Sequence, residues 1–493
     1  MAKVFEFSKF QAAIFDWIKN GIGNAIISAV AGSGKTFTIV EAIKYINGNV
    51  LFLAFGKAIA TELKTKVPAN VNASTLHSFG YSVLQNTYGR LNVVADWKKY
   101  GPILDNLGLM EQKAWKWEEK KANREKREQV LKLIALVKNN MLDINDDTAI
   151  ASTAEHLSIT YDATALPIMR QVMLKAMSIT NIICYDDMIY MPVVRNLSIP
   201  KYDWVLIDET QDLNRAQIEL VLRTVSITGR VIAVGDHYQS IFGFRGADNE
   251  AMDRVKTSLK ATELPLSVCY RCPKSHVELA RTIVPHIEAA PNAIEGIIEY
   301  VTDKKFEPET LRNAQSTMIL CRTNAPLTSY ALRLLSNGIP CSIKGQDIGK
   351  GLISLVNKLD GFSVSDILNS LNRWEDKETA KLMKIENVAE SQIEAIHDKA
   401  DCIRAIADDC NTKQCIVSKI EKLFSDDNAI GVQLSSVHKA KGLEAETVYI
   451  IRPELLPLKR KNQKAWEAEQ EKNIQYVAYT RSKNKLVFVN TSK

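Results

Sequence analysis

The sequence predicts an α/β protein with a parallel sheet in each half of the chain and α-helical insertions between strands. Short apolar runs alternate with segments whose apolar residues recur at helical spacing, and this alternation is typical of parallel sheets. It occurs in the first part of the 493-residue chain and returns in the second half. Two stretches, residues 91–198 and 345–429, show helical patterns without strong strand patterns. We therefore expect two sheets, each interrupted by a helical insertion.

Composition and charge limit the class of protein that this sequence can encode. Hydrophobic residues make up 46% of the chain and charged residues 24%, as in a globular protein. The net charge of +6 permits a polyanionic partner without requiring one. The eight cysteines do not resemble a disulfide framework, and the CxxC of Cys269 and Cys272 has no second pair at zinc-ligand spacing. This cysteine pattern leads us to expect reduced thiols. Because no apolar run reaches the length of a membrane span, we expect a cytoplasmic protein with no membrane partner.

The first element is an amphipathic helix at residues 10–18, with the polar Gln11 near its start. An amide side chain donates and accepts hydrogen bonds at once, which matches the N6 and N7 edge of adenine. The alternative interpretation is an exposed helix glutamine that binds nothing.

A strand, a small turn and a helix follow. The apolar strand begins at Ile26, and the turn and helix start are formed by Ala31, Gly32, Ser33, Gly34, Lys35 and Thr36. Small residues let backbone N–H groups close around phosphate oxygens, and the helix directs its positive end at them. Lys35 would reach the β and γ phosphates, and the Thr36 hydroxyl would hold Mg²⁺. Ala29 stands where the strict motif has Gly, which costs little if its backbone is ordinary. The alternative is a glycine-rich turn without a ligand.

The next elements continue the alternation. Residues 50–55 form a strand, a helix then runs to Lys66, and a further short strand precedes Thr75. After the helical stretch at 91–198, an apolar strand at 204–207 ends directly in Asp208 and Glu209. Asp208 can hold the Mg²⁺ that Thr36 binds, and Glu209 can polarise a water molecule. The alternative is that the two carboxylates cap the following helix.

Another strand, at residues 231–235, brings Gln239 to its carboxyl end, beside these carboxylates. Gln239 is therefore a candidate sensor of the γ phosphate. The loop that follows carries Phe242, Phe244 and Arg245. Aromatic residues two positions apart suit stacking on the bases of a single strand, and they equally suit packing into a core.

In the second half, strand patterns recur at residues 262–267, 318–322, 432–435, 448–451 and 486–489. No second phosphate loop accompanies them. They predict a second sheet of the same class, interrupted by the helical stretch at 345–429.

Seven sequence motifs, in order, resemble the motif set of superfamily 1 helicases of the UvrD/Rep/PcrA type. They are Gln11, AVAGSGKT at 29–36, DETQD at 208–212, VGDHYQSIFGFRGAD at 234–248, YRCP at 270–273, SVHKAKGLE at 436–444 and YVAYTRSK at 476–483. Two further stretches, AFGKAIATEL at 54–63 and TLHSFGY at 75–81, resemble the DNA-contacting motifs of the family and of its shorter phage and F-box helicase members.

The resemblance implies two RecA-like P-loop NTPase domains in tandem. Residues 1–90 and 199–262 would form the ATP-binding domain, with 91–198 as its helical insertion. Residues 263–344 and 430–493 would form the second domain. Residues 345–429 form an insertion much shorter than that of longer members, so the functions of that subdomain are not carried over.

The resemblance also implies roles in ATP hydrolysis. Lys35, Thr36 and Asp208 would hold MgATP on the loop, while Glu209 activates the attacking water. Gln239 would sense the γ phosphate, and Arg271 and Arg481 would act as arginine fingers, which suits a transferring phosphoryl group. Tyr270 would stack on adenine opposite Gln11, and Glu444 would lie near the ribose or the γ phosphate.

A nucleic-acid path is implied as well. Its residues would be Phe55, Lys57, His77, Phe242, Phe244, Arg245 and His438. His77 and His438 can alternatively be structural histidines. Gly56 stands where relatives often have Asn, so the resemblance does not carry a DNA contact over to this position.

Together these features lead us to expect ATP-dependent 3′ to 5′ translocation on single-stranded DNA and unwinding at duplex junctions. The polarity comes from the resemblance alone, as does the expected setting, a bacterial or phage-infected cell with the protein on the nucleoid when it is bound to DNA. Two alternatives stay open. One is an ATP-gated module that grips nucleic acid or protein without translocating, and the other is an RNA-directed helicase.

Overall fold

The computed structural model describes residues 6–54, 56–68, 70–110, 117–243, 250–307, 311, 316–383, 390–424, 431–461 and 463–491. The chain divides into two compact units. The first contains residues up to Ala29 and Gly34–Leu266, and the second contains Val30–Ser33 with Ser267–Lys493.

The first unit is built on a six-stranded parallel sheet with the strand order β3-β2-β6-β7-β1-β8. Its strands, and a separate two-stranded pair β4 and β5, are β1 Ala25–Ala29, β2 Val50–Ala54, β3 Val71–Thr75, β4 Asn92–Val93, β5 Ile182–Ile183, β6 Tyr202–Ile207, β7 Val225–Gly235 and β8 Thr262–Leu266. The helices are α1 Lys9–Asn20, α2 Lys35–Ile43, α3 Lys57–Lys66, α4 Leu76–Tyr88, α5 Asp96–Asn106, α6 Trp117–Asn140, α7 Asp147–His156, α8 Ala165–Ser178, α9 Tyr185–Val194, α10 Arg215–Leu222 and α11 Ala251–Leu259.

Apolar cores lie on both faces of this sheet because successive side chains of a strand point in opposite directions. Leu51 and Leu53 of β2 pack into the core on one face, whereas Val50 and Phe52 pack into the core on the other. The continuous apolar runs that predicted buried parallel strands are explained by this two-sided burial.

One strand differs from the prediction. The sequence pattern assigned residues 262–267 to the second sheet, but β8 pairs in parallel with β1 at the edge of the first sheet. The reason is that α11 precedes β8 and packs against the first unit, with Met252 and Val255 in its core, so the chain returns beside β1 before it leaves the unit. The strand pattern is confirmed, and its placement in the second sheet was wrong.

The predicted helical stretch at 91–198 is helical and has a core of its own. Tyr100, Leu133 and Val172, from three different helices, are buried together in it. Its last helix, α9, instead places Ile189 and Val193 in the core beneath the first sheet. The carboxyl end of this stretch is therefore part of the sheet's packing.

The second unit contains a six-stranded parallel sheet with the order β11-β16-β15-β12-β14-β13, and a small pair, β9 with β10. The strands are β9 Val268–Cys269, β10 Glu288–Ala289, β11 Ile297–Thr302, β12 Thr317–Cys321, β13 Cys341–Ile343, β14 Val432–Ser436, β15 Ala445–Ile451 and β16 Ser482–Asn490. The helices are α12 Lys274–Arg281, α13 Ala325–Ser336, α14 Gln346–Lys358, α15 Val364–Met383, α16 Glu390–Ala407, α17 Lys413–Leu423 and α18 Ala465–Tyr479.

The second helical stretch, α14 to α17, shares one core with this sheet. Leu352, Ile403 and Ile420 of the helices are buried with Ile343 and Leu434 of the strands. The stretch is thus packed onto the sheet's own core. Within the described part of the chain, no helix combines the length and apolar character needed to cross a lipid bilayer.

Candidate nucleotide-binding site

The loop between β1 and α2 has the backbone of a phosphate-binding turn. Gly32 and Gly34 have φ angles of 67° and 77°, a region that favours glycine. Ala29, which replaces the motif's first glycine, is the last residue of β1 and pairs with Leu266, so an ordinary strand conformation suits it. Ser33 Oγ is buried without a hydrogen-bond partner among the described residues. The loop therefore has both the glycine geometry and an unsatisfied polar atom, which fit a bound phosphate.

In the first unit, two residues at the start of α2 contact the two carboxylates that follow β6. The Thr36 hydroxyl donates to Asp208 Oδ2 at 2.7 Å. Lys35 Nζ and Glu209 Oε1 form an ion pair at 3.0 Å. The predicted metal ligands Thr36 and Asp208 are thus brought together across 172 positions of sequence. A hydroxyl and a carboxylate oxygen at one point are suitable ligands for Mg²⁺.

Burial and mutual charge shift the pKa values here. Burial, with the nearby Glu209, raises the pKa of Asp208 to about 6. Burial also raises the pKa of Asp236. For Lys35, burial alone would lower the pKa, but the charges of Glu209, Asp236 and Asp208 outweigh it and the pKa is raised. Three carboxylates around one ammonium group leave an excess of negative charge, which a divalent cation would neutralise.

A chain of hydrogen bonds connects Gln239 to Glu209. Gln239 Nε2 donates to Asp236 Oδ2 at 2.6 Å, and the Asp236 N–H donates to Gln211 Oε1 at 3.0 Å. Gln211 Nε2 in turn donates to the Glu209 carboxylate. The sequence reasoning selected Gln239 and Glu209 and missed Gln211 and Asp236, although both lie within the motifs that it quoted. Glu209 also has a φ of 55°, which is uncommon for a residue with a side chain.

Gln11 is buried, so the alternative of an exposed glutamine was wrong. Its Nε2 donates to Thr38 Oγ1 at 3.1 Å, and the Thr38 hydroxyl donates to the Gly34 carbonyl at 2.9 Å. Its side-chain oxygen accepts from the Ser8 N–H, which completes the cap of α1. The amide is therefore connected to the phosphate loop through Thr38, a residue that the sequence reasoning did not select.

In the second unit, the predicted residues Arg271 and Glu444 are in contact. Arg271 Nε and Glu444 Oε2 form an ion pair at 2.6 Å, and Lys483 Nζ contacts Glu444 Oε1 at 2.5 Å. Burial would raise the pKa of Glu444, but hydrogen bonds and charge from Lys483 and Arg271 outweigh it, and the pKa is lowered. Tyr270 exposes 42% of its surface. Lys483 was not predicted as a site residue.

Within the second unit, two residues of the phosphate loop, Ala31 and Gly32, form hydrogen bonds through their backbone. The Tyr270 N–H donates to the Gly32 carbonyl at 2.9 Å, and the Ala31 N–H donates to the Tyr476 hydroxyl at 2.8 Å. Arg481 is fully buried and donates to the Val477 carbonyl at 2.9 Å. Tyr476 belongs to a quoted motif, but its contact with the loop could not be predicted from spacing.

The predicted nucleic-acid path is described only in part. Phe55, Phe244 and Arg245 lie outside the described residues, and Lys57 is the first residue of α3, described here by its backbone alone. Phe242 and His438 are half-buried.

His77 lies in the first turn of α4, and burial lowers its pKa. Its ring is 6.3 Å, edge to face, from that of Tyr185, whose side chain is 63% exposed. Tyr185 was not predicted, and its position after β5 in a helical stretch offered no signal for it. The exposed Tyr185 ring beside the half-buried His77 is of the kind on which bases stack.

The cysteines do not indicate a metal site. Among the described residues, no three His, Cys, Asp or Glu side chains are grouped so that they could hold a metal ion. Cys269 and Cys272 are buried, and the Cys272 N–H donates to Cys269 Sγ at 3.4 Å. This contact accounts for the CxxC as a turn at the end of β9.

Comparison with known proteins identifies the family. The UvrD/REP helicase N-terminal domain matches residues 12–260, and the UvrD-like helicase C-terminal domain matches residues 355–493. Both matches extend through helical stretches as well as sheets.

Individual relatives are distant. F-box DNA helicase protein 1 of Schizosaccharomyces pombe is 24% identical over 538 residues, which cover 94% of this chain and 55% of that protein. A probable DNA helicase II homolog of Mycoplasma pneumoniae is 25% identical and covers 95% of this chain and 82% of that protein. The ATP-dependent DNA helicase Rep of Escherichia coli is 26% identical over 66% of this chain and 53% of its own length. The chain thus spans about half the length of two of these three relatives. The two sheets, the phosphate loop with its paired carboxylates and the two family matches together show that this chain belongs to the UvrD/Rep family of superfamily 1 helicases.

Proposed function

We propose that this protein is an ATP-dependent DNA helicase that translocates 3′ to 5′ along single-stranded DNA. The observation that carries the proposal is the meeting of Lys35 and Thr36 with Glu209 and Asp208 at a loop with the backbone of a phosphate site. The family and the names of its relatives support an ATP-dependent DNA motor. The polarity rests on the resemblance.

The roles of the first unit's residues follow from their contacts. Thr36 and Asp208 would hold Mg²⁺, which when bound offsets phosphate charge. Lys35, now paired with Glu209, would move to the incoming phosphates, because a phosphate carries more charge than one carboxylate. Glu209 would then be released to orient and deprotonate water. Gln239 would respond to the γ phosphate and transmit its state to Glu209 through Asp236 and Gln211.

For the second unit, we propose that Arg271 and Arg481 supply positive charge to the transferring phosphoryl group. Arg271 is held by Glu444 and Arg481 by backbone carbonyls, so each would exchange an internal partner for the phosphate. Tyr270 would stack on adenine, and Gln11 would bind its edge. Arg271 and Arg481 would contact phosphate only when ATP is bound. A motor needs such a contact, present in one of its two states and absent from the other.

The DNA would lie along His77, Phe242 and His438 and, beyond the described residues, Phe55, Phe244 and Arg245. Lys57 would contact phosphates. Tyr185, beside His77, adds a stacking surface to this set. We propose that bases stack on these rings while the chain moves, and that a duplex junction is opened when the motor reaches it. The setting would be the cytoplasm, with the protein on the nucleoid when it is bound to DNA.

A strand-displacement assay on 3′-tailed and 5′-tailed duplexes of DNA and RNA tests the proposal. We expect ATP-dependent displacement of 3′-tailed DNA and ATP turnover stimulated by single strands. Lys35→Ala and Glu209→Gln serve as inactive controls. Displacement of 5′-tailed substrates alone would overturn the polarity, and preference for RNA tails would favour the RNA-directed alternative. ATP binding without strand-stimulated turnover would favour a gated binding module.

A further inference from the structure

Tyr476 is a fully buried tyrosine whose hydroxyl contacts the phosphate loop. It lies on α18, and its hydroxyl accepts the N–H of Ala31 at 2.8 Å. Ala31 is also fully buried, so water is excluded from this N–H. The adjoining Gly32 carbonyl accepts the Tyr270 N–H at 2.9 Å. The peptide segment from Ala31 to Gly32 is therefore held by one hydrogen bond at each end.

The packing around Gly32 leaves this segment little freedom. A Cβ atom built on Gly32 would lie 2.5 Å from Arg271 Cβ and 3.0 Å from Cys269 Sγ. Displacement of the loop toward Arg271 is therefore blocked, and the two hydrogen bonds oppose displacement away from it. The position of this packed loop therefore depends more strongly on the Tyr476 hydrogen bond than the position of a loosely packed turn would depend on a single contact.

Tyr476 is also connected to Arg481, which lies just beyond the end of the same helix. The Tyr476 carbonyl accepts the Thr480 hydroxyl at 2.9 Å, and Thr480 Oγ1 accepts from Arg481 Nη2 at 3.1 Å. One residue thus contacts the loop with its side chain and, through Thr480, the predicted arginine finger with its backbone. Both Thr480 and Arg481 are fully buried, which keeps these bonds from exchanging with water.

From this arrangement we infer that Tyr476 is a positioning residue: its hydroxyl sets the phosphate loop in register with Arg481 for phosphoryl transfer. The inference rests on the proposed function for its catalytic consequence, whereas the hold on the loop stands on the contact itself. No chemistry is assigned to the tyrosine, which contacts the loop backbone and not the substrate.

Tyr476→Phe tests the inference because it removes only the hydroxyl. Amide hydrogen exchange of residues 30–33, measured on the full chain without nucleotide, is expected to accelerate by roughly tenfold, the effect of losing one buried hydrogen bond. Strand-stimulated kcat is expected to fall by a similar factor, roughly tenfold, while the Kd for ATP changes less than about twofold, because alignment acts in the transition state.

Tyr479→Phe is the matched control. Tyr479 lies three positions further along α18, and its hydroxyl accepts a hydrogen bond from Gln475 Nε2 at 2.8 Å. This variant should leave both loop exchange and kcat unchanged. A double-mutant cycle with Arg481→Lys adds a test of the connection: if Tyr476 acts through Arg481, the two losses in kcat are not additive.

The possible results distinguish the hold of Tyr476 on the loop from its role in catalysis. Unchanged exchange at residues 30–33 in Tyr476→Phe would overturn the inference whether or not the protein hydrolyses ATP. Faster exchange with unchanged kcat, or additive losses with Arg481→Lys, would overturn the positioning role. If the wild-type protein shows no strand-stimulated ATP turnover, the proposed function fails and the catalytic role fails with it, while exchange still decides whether Tyr476 holds the loop.

Discussion

Lys35 Nζ lies 3.0 Å from Glu209 Oε1, so the cation suited to phosphate is paired with the carboxylate suited to water. The ion pair keeps both groups charged where burial would otherwise favour their neutral forms. An incoming phosphate that takes Lys35 would release Glu209 in the same event. In the proposed mechanism, substrate binding and release of the base would thereby be coupled through one side chain.

Replacement of Lys35 by Ala should remove nucleotide binding and also destabilise the fold. Glu209, Asp208 and Asp236 would lose their neutralising ammonium group, and a buried charge without its partner costs on the order of 3 kcal/mol. We expect the Kd for ATP to rise by about 100-fold or more and the free energy of unfolding at pH 8 to fall. Titration calorimetry and urea unfolding measure the two effects. Full stability of Lys35→Ala at pH 8 would contradict this account of the charges.

Asp208 should make the protein less stable as the pH rises. Its pKa in the fold is about 6, above the ordinary value of 3.8, so the folded state binds more protons than the unfolded state between these values. The free energy of unfolding contributed by this group therefore falls as pH rises from about 4 to about 6. We expect Asp208→Asn to be more stable than wild type at pH 7.5 by on the order of 1–3 kcal/mol, with the difference shrinking toward pH 5. Urea unfolding across this range checks the sign, and a difference that grows toward low pH would contradict it.

Two glycines of the loop offer a matched pair of substitutions. Gly32→Ala forces both a left-handed residue and a Cβ contact of 2.5 Å with Arg271, whereas a Cβ on Gly34 meets nothing closer than 3.9 Å. We expect Gly34→Ala to cost about 1 kcal/mol for its conformation and Gly32→Ala to cost roughly 3 kcal/mol or more. Thermal and urea unfolding compare the two variants. Equal losses would show that the contact with Arg271 is relieved without strain.

Tyr185 should contribute to single-strand binding although no motif marked it. Loss of a ring on which a base stacks costs about 1–3 kcal/mol, so Tyr185→Ala should weaken the affinity for single-stranded DNA by roughly 5- to 100-fold. Phe362→Ala is the control, because Phe362 is an exposed aromatic residue that lies in the second helical stretch. Fluorescence anisotropy with a labelled oligonucleotide measures both. Equal affinities of wild type and Tyr185→Ala would remove Tyr185 from the path.

Features that depend on a few neighbouring residues could be predicted from the sequence. The turn before Lys35 was expected to need small residues, and the structure places Gly32 and Gly34 there with positive φ angles. Asp208, at the end of an apolar strand, was expected to share a Mg²⁺ with Thr36, and their oxygens are 2.7 Å apart. The two helical stretches were also recognised from periodicity, since a helical pattern of apolar residues is a property of the local sequence.

Prediction failed where a residue's role depended on its neighbours in space. β8 has the pattern of any short strand, and its place beside β1 is set by the packing of α11. Gln211 and Asp236 looked like ordinary polar residues until the ends of β6 and β7 brought them between Glu209 and Gln239. Tyr185 became a candidate only when α9 placed it against His77.

The sequence by itself determined the local features of this protein: a glycine-bearing loop with Lys35 and Thr36, carboxylates at a strand end, and strands and helices in the alternation of parallel sheets. These features are encoded within a few residues, because dihedral preference and side-chain type act locally. The tertiary structure alone decided which distant groups meet, such as the Tyr476 hydroxyl and the Ala31 N–H, which are 445 positions apart. Such contacts arise from strand order and close packing, and no pattern of neighbouring residues records them.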